Sequence, residues 1–230
     1  MYSYNCSVNP AMNKYTLFFP VWLCVAAGII ACSLPDRNGR AKEQLAIKEC
    51  FDKYKKAILT SNGPLAQAMV DSETVSFYER VLKHARFSEK AQLSKAGLSE
   101  KLIVFKVRQE INGDSVRKYS GAGLFTAMVS SGMMDVAAMS AIDIGKVDIA
   151  GSAAKAEVTV NKKMAPFTLR FRKENGGWKI NIAALLAITD MALTEKINQA
   201  GLTEEFFIED VMMRRKGAGF DNNQYWKPLH

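Results

Sequence analysis

Residues 142–183 constrain the fold more than any other stretch, because successive segments there alternate apolar and polar side chains between turn residues. Ala154, Ala156, Val158 and Val160, then Phe167, Leu169 and Phe171, then Trp178, Ile180 and Ile182 recur at a period of two, which puts each set on one face of a strand. Lys155, Glu157, Thr159, Thr168, Arg170, Arg172, Lys179 and Asn181 fall on the other face. One face calls for helices over it and the other tolerates water, so the sheet is antiparallel. A parity change between Ile144 and Val147 predicts a bulge at Gly145. Gly151-Ser152 and Asn161-Lys162-Lys163 mark the next two turns, and Asn175-Gly176-Gly177 is a tight-hairpin signal. Pro166 cannot donate to a ladder, so the ordered part of the third strand is expected to start at Phe167.

Helical periodicity flanks this sheet. Leu45, Cys50, Tyr54, Ala57 and Ile58 form the stripe of a first helix over residues 42–61, which Asn62-Gly63-Pro64 ends. Residues 65–70 make a short turn, and Asp71 or Ser72 caps a second helix with Val75, Tyr78, Leu82 and Ala85 inward. Further helices are expected over residues 99–111, 124–134, 184–199 and 203–215, the methionine-rich 124–134 run being flexible core filling. The class is therefore α+β: N-terminal helices on one face of a bent antiparallel sheet of about four strands, with two C-terminal helices. With 230 residues, 48% of them hydrophobic, the chain is long enough for one well-buried core. A single domain is expected over residues 42–216, and residues 217–230 read as a loose tail from which Phe220, Tyr225 and Trp226 could dock.

The front of the chain is of a different kind. Residues 15–31 are an uncharged apolar run preceded by Lys14 and interrupted by Pro20, which reads as an export signal over residues 1–31. Met12-Asn13-Lys14 is itself a good signal start, so translation is expected to begin at Met12. A spanning helix needs about 20 predominantly apolar residues, and this run is marginally short. Its end, Ile29-Ile30-Ala31-Cys32, resembles the cleavage motif of bacterial lipoproteins. The resemblance implies a lipidated Cys32 as the mature N-terminus, with Ser33 directing the protein to the outer membrane where a cell has two. Residues 32–41, with Pro35, Asp36, Asn38 and Gly39, then read as a tether.

Of Cys6, Cys24, Cys32 and Cys50, only Cys50 would remain as a free thiol, so a disulfide framework is excluded for the mature monomer. Cys50 reads as a small apolar side chain on a helix. The net charge of +8 suits an anionic membrane surface or acidic partner, and nucleic acid is not an expected partner of an exported protein.

The order of elements, Asn62-Gly63-Pro64-Leu65-Ala66 between the first helices, and the closing pair Phe167-Thr168-Leu169-Arg170-Phe171 and Trp178-Lys179-Ile180 resemble the nuclear transport factor 2-like superfamily over about residues 42–184. That resemblance implies a bent sheet wrapped round helices as a cone whose mouth holds a small apolar ligand or none. Enzymes of the superfamily, ketosteroid isomerase among them, use an acidic base and a tyrosine inside the cone. For such isomerase- or dehydratase-like chemistry the candidates are Tyr78, Tyr119, His84, Asp135 and Asp143, none of them within a motif.

Nothing in the sequence adds to that list. His84 and His230 are the only histidines and neither has metal-ligand spacing, so no metal or cofactor is expected. His84 has Arg80 and Ser88 one turn away rather than a carboxylate, and reads as a helix-edge histidine. Gly121-Ala122-Gly123 lacks the later glycine and the preceding strand of a phosphate loop. Candidate partner- or ligand-binding residues are Trp178, Arg170 and Arg172, with Glu157 expected to pair across strands with Arg170. The reading is a non-enzymatic lipoprotein of the cell envelope, anchored by acyl chains and binding a partner protein or small apolar ligand; the rival is an enzyme using the cone interior.

Overall fold

In the computed structural model the described residues are 37–216 and 225–229. The first helix, α1 (Arg37–Leu59), takes in residues 37–41, which were expected in the tether. The roughly 1 kcal/mol that Gly39 costs does not stop a helix anchored by its later, buried turns. That buried stripe is Ile47, Cys50, Phe51, Tyr54, Ala57 and Ile58, whereas Leu45, expected inward, is 58% exposed. Positions 45 and 47 lie on nearly opposite sides of a helix, and the stripe through Phe51 takes Ile47.

Ser61 closes α1 in the left-handed region at φ 51°, and the Asn62 N–H returns to the Ala57 carbonyl at 2.8 Å. Asn62 then opens α2 (Gly63–Met69), its Oδ1 accepting from the Leu65 amide at 3.1 Å. Asp71 caps α3 (Ser72–Phe87). After it come α4 (Lys90–Leu93), α5 (Leu98–Glu110), α6 (Gly113–Lys118), α7 (Gly121–Ser130) and α8 (Val136–Ala141). The apolar run expected as one helix over residues 124–134 stops at Ser130. Gly132, at φ 70°, turns the chain, and the Met133 amide bonds back to the Met128 carbonyl at 2.9 Å.

Four antiparallel strands follow in sequential order: β1 (Ile142–Ala150), β2 (Ala153–Val160), β3 (Lys163–Glu174) and β4 (Gly177–Asn181). The β1–β2 register shifts between Ile144 and Val147, as the parity change around Gly145 predicts. β3 starts at Lys163 rather than Phe167, and Pro166 lies inside it. The β2–β3 register shifts between Glu157 and Thr159, next to the proline, so the missing N–H falls where the ladder is already interrupted. Asn175 and Gly176, at φ 50° and 78°, make the β3–β4 hairpin.

β4 ends at Asn181 opposite Arg170, which leaves the first half of β3 without a fourth-strand neighbour. Helix α9 (Ile182–Gln199) continues from β4 and packs on β3 there, covering that edge. The outer edge of β4 is closed by Val70, in a parallel bridge with Ile180. Helix α10 (Glu204–Lys216) follows, Thr203 Oγ1 accepting from the Phe206 amide at 3.2 Å.

The fold is therefore α+β, with eight helices before and two after a four-stranded antiparallel sheet among the described residues. Ala154, Ala156, Val158, Leu169, Phe171, Trp178 and Ile180 are buried in one core with the α1 and α3 stripes, while Lys155, Arg170 and Arg172 on the other face are exposed. Of residues 217–230, expected as a loose tail, residues 225–229 are docked: Tyr225 is buried and the Leu229 amide donates to the Ala85 carbonyl at 3.0 Å. Phe220, Cys32, the signal over residues 1–31 and the first part of the tether lie outside the described residues.

Candidate functional site

Side chains of α1, α3 and the apolar sheet face are buried together in one core. Tyr78 is 2% exposed, edge-on to Phe77 and Phe125 at 5.4 and 4.9 Å, and burial pushes its phenol and that of Tyr54 well above the ordinary tyrosine range. No carboxylate hydrogen-bonds either phenol among the described residues. The acids named as partners are engaged elsewhere. Asp135 Oδ1 accepts from the Ala138 amide at 2.9 Å as the cap of α8, and Asp143 pairs with Lys55 at 2.6 Å. Tyr119 terminates α6, and its carbonyl accepts from Arg86 at 2.6 Å. Cys50 is buried on α1 and burial raises its thiol to about 11.

His84 does face a carboxylate, contrary to the local sequence reading. Its Nε2 lies 3.7 Å from Glu100 Oε1, and its Nδ1 is 2.8 Å from Ser88 Oγ. Glu100 comes from α5, so no spacing within α3 signals it. The serine–histidine–carboxylate order is superficially that of a hydrolase, but Ser88 is only 9% exposed and its carbonyl is taken by Arg108 at 2.6 Å. A nucleophile must be reachable by a substrate carbonyl, so this set positions α3 against α5 rather than performing acyl transfer. Arg80 Nε is also 3.7 Å from Glu100, and Glu100 Oε1 is buried with no hydrogen-bond partner.

The open space lies outside, on the polar side of the sheet. One cleft of about 490 Å³ is lined by Asp148, Ala150, Ala153, Lys155 and Arg172, together with Glu73 and Arg170. A second, of about 450 Å³, runs between α3, α5 and α9 past Phe77, Arg80, Glu100 and Ala187, and again includes Glu73 and Arg170. Both volumes fall in the range of small-molecule sites. Glu73 reaches this boundary from the first turn of α3, where its Oε2 accepts from Asn181 Nδ2 at 2.7 Å and pairs with Arg172 at 3.4 Å.

Of the three binding residues expected from the sequence, Arg170 and Arg172 meet here and Trp178 does not. Trp178 is in register with Lys173, on the opposite face, 5% exposed, and its indole donates to Glu43. The Lys173 and Trp178 hydrogen bonds hold the Glu43 carboxyl below the usual range. Glu157 is not the partner of Arg170 either: it sits opposite Thr168, and Arg170 sits opposite Lys155. The bulge next to Glu157 sets that pairing. Glu73 and Glu100 were missed by sequence reasoning because both are delivered by helices distant in the chain.

Among the described residues no group of three or more His, Cys, Asp or Glu could hold a metal ion, and no helix is long and apolar enough to cross a membrane. No protein-family model matches the chain, and no curated protein or solved structure matches it.

Proposed function

We propose that this is a lipoprotein of the cell envelope, held by acyl chains on Cys32, whose domain binds a partner or small ligand in an outer groove and does no chemistry in its interior. The observation that carries the binding role is the contrast between the two sheet faces. The apolar face is filled by buried residues such as Phe51, Tyr54 and Tyr78, whereas two clefts share Glu73 and Arg170 on the polar side. The tyrosines that isomerase-like chemistry would need, Tyr54 and Tyr78, are buried in the core, and the candidate acids Asp135 and Asp143 are engaged elsewhere. A ligand on the polar side meets preformed walls at no cost in core packing.

The two register shifts support a sheet bent round α1 as in the nuclear transport factor 2-like cone, here filled rather than hollow. Anchoring rests on Ile29-Ile30-Ala31-Cys32: each buried acyl methylene contributes about 0.8 kcal/mol, so two or more chains make release rare. Ser33 directly after the cysteine favours the outer membrane where a cell has two.

Radiolabelled palmitate and membrane fractionation of a Cys32→Ser variant test the anchor; label and membrane sedimentation are expected to disappear, and their persistence overturns it. For the groove, Ala187→Trp fills the second cleft from an exposed position. Partners recovered from native membranes by the wild-type protein are expected to be lost from this variant, and equal recovery rules the cleft out.

A further inference from the structure

Two rows of side chains cross the polar sheet face, and each sets two cations directly opposite one another. Lys155 on β2 is in register with Arg170 on β3, and Arg172 on β3 with Lys179 on β4. Like charges in that relation are destabilising. In the second row the charge is answered: Arg172 pairs with Glu73 at 3.4 Å and Lys179 Nζ donates to the Ala68 carbonyl. In the first row it is not. Neither Lys155 nor Arg170 has an acceptor among the described residues, and Asp148, across from Lys155, lies 3.5 Å from Lys146 instead.

This unanswered pair lines the 490 Å³ cleft, whose floor at Ala150 and Ala153 is kept low by methyl side chains. Resting on the binding role proposed above, we infer that Arg170 and Lys155 form the receptor for a single oxyanion, a phosphate or carboxylate group. The guanidinium fork takes two oxygens in parallel, and the ammonium, as a point charge, takes a third oxygen of a phosphate or shares one of the two oxygens of a carboxylate. Glu73 and Asp148, which also line the cleft, repel a long polyanion, so the site selects one isolated anionic group rather than a nucleic acid backbone. A free metabolite and a phospholipid headgroup both offer that chemistry.

The arrangement gives the test an unusual signature, since residues kept for a ligand at a cost to the fold should leave a more stable protein when neutralised. Tm of the full chain is read by tryptophan emission with inorganic phosphate, acetate, sodium chloride at matched ionic strength, and phosphatidylglycerol or phosphatidylcholine in mixed micelles. Wild-type protein is expected to gain about 3 °C or more near saturation with phosphate, acetate or phosphatidylglycerol, and nothing with chloride. A gain confined to phosphatidylglycerol assigns the lipid source; a gain with the soluble anions assigns the free one. A Lys155→Gln, Arg170→Gln double variant is expected to melt at or above the wild-type temperature without ligand and to gain nothing with it. Arg170→Lys, which keeps the charge and loses the fork, should weaken binding about tenfold. No gain in the wild type, an undiminished gain in the double variant, or a double variant that melts lower without ligand each overturns the proposal. Loss of palmitate labelling in Cys32→Ser and loss of partners in Ala187→Trp would be unaffected by that failure.

Discussion

The Arg108 guanidinium donates to the backbone carbonyl of Tyr225 at 2.8 Å, joining α5 to a segment 117 residues further along the chain. The same side chain donates to the carbonyls of His84, Ser88 and Ala85 at 2.7, 2.6 and 3.3 Å, at the end of α3, where the His84 carbonyl also accepts from the Ser88 amide and the Ala85 carbonyl from the Leu229 amide. Burial draws the guanidinium down to about 10, so it remains charged near neutrality. Trp226 is edge-on to Phe105 at 4.8 Å, with Lys90 over its ring at 5.0 Å. Arg108→Met is expected to cost about 3 kcal/mol or more, because several buried carbonyls lose one charged donor together. Urea unfolding measures the loss, and the Trp226 emission should move to the red before the main transition. An unchanged midpoint would show that water replaces the guanidinium.

Asp71 couples the start of α3 to the start of α9. Its Oδ1 accepts from the Thr74 amide and hydroxyl at 2.8 and 2.7 Å, and the Thr74 oxygen accepts from the Ile182 amide at 2.9 Å. Burial raises the Asp71 carboxyl above its ordinary value of 3.8, against a smaller opposing pull from the Thr74 bonds. A raised acid gives stability that is full below 3.8 and lost as pH climbs through the folded value. Asp71→Asn cannot titrate, so its stability relative to wild type should improve as pH rises from about 3 to 6. Asp71→Ala removes the cap and should cost about 1–2 kcal/mol. Denaturation midpoints across that pH range decide it, and a difference that moves the other way defeats the argument. Glu43 has the opposite sign: its contribution is present above 4.5 and lost on acidification, so Glu43→Gln should flatten the acid limb.

Cys50 should be silent toward thiol reagents in the native state. Its thiol is 5% exposed and raised to about 11, so at pH 8 only about one molecule in a thousand would carry the reactive thiolate even without steric shielding. Reaction with Ellman's reagent is expected to follow the urea transition. Fast labelling of native protein would mean that α1 opens locally without global unfolding.

What the sequence disclosed followed the strength of its periodicity. Strands two and four were legible because Ala154 to Val158 and Trp178 to Ile180 alternate without interruption, and the Gly145 bulge was legible from parity alone. The start of β3 was not, since Pro166 looks like a boundary until its place beside a register shift is known. Helices α6 and α8 were missed because each has only six residues, too few for a period to show. Arg170 and Arg172 could be assigned to one face, but Glu73 and Glu100, which complete the clefts, reach them only through tertiary packing. Arg170 was legible as a binding candidate, but its opposition to Lys155 was not, because it depends on register, which the intervening bulge shifts.

The packing of α7 on α3 depends on a missing side chain at Gly121. A Cβ there would stand 2.6 Å from both the Glu79 amide nitrogen and the Val75 carbonyl oxygen. These are backbone atoms of one helix, held by their own ladder, so neither can retreat without moving α3 as a whole. Gly121→Ala is therefore expected to cost about 2–3 kcal/mol as an overpacking change. Gly176 supplies the contrast, with φ at 78° and nothing within 4 Å of an added Cβ. Gly176→Ala should cost only the left-handed penalty of about 1–2 kcal/mol. The decisive measurement is structural rather than energetic: Gly121→Ala should quench the edge-on contact of Phe125 with Tyr78, now 4.9 Å, and change near-ultraviolet circular dichroism, whereas Gly176→Ala should leave that spectrum unaltered. Identical spectra for both variants would mean that α7 can lift from α3 without disturbing the core.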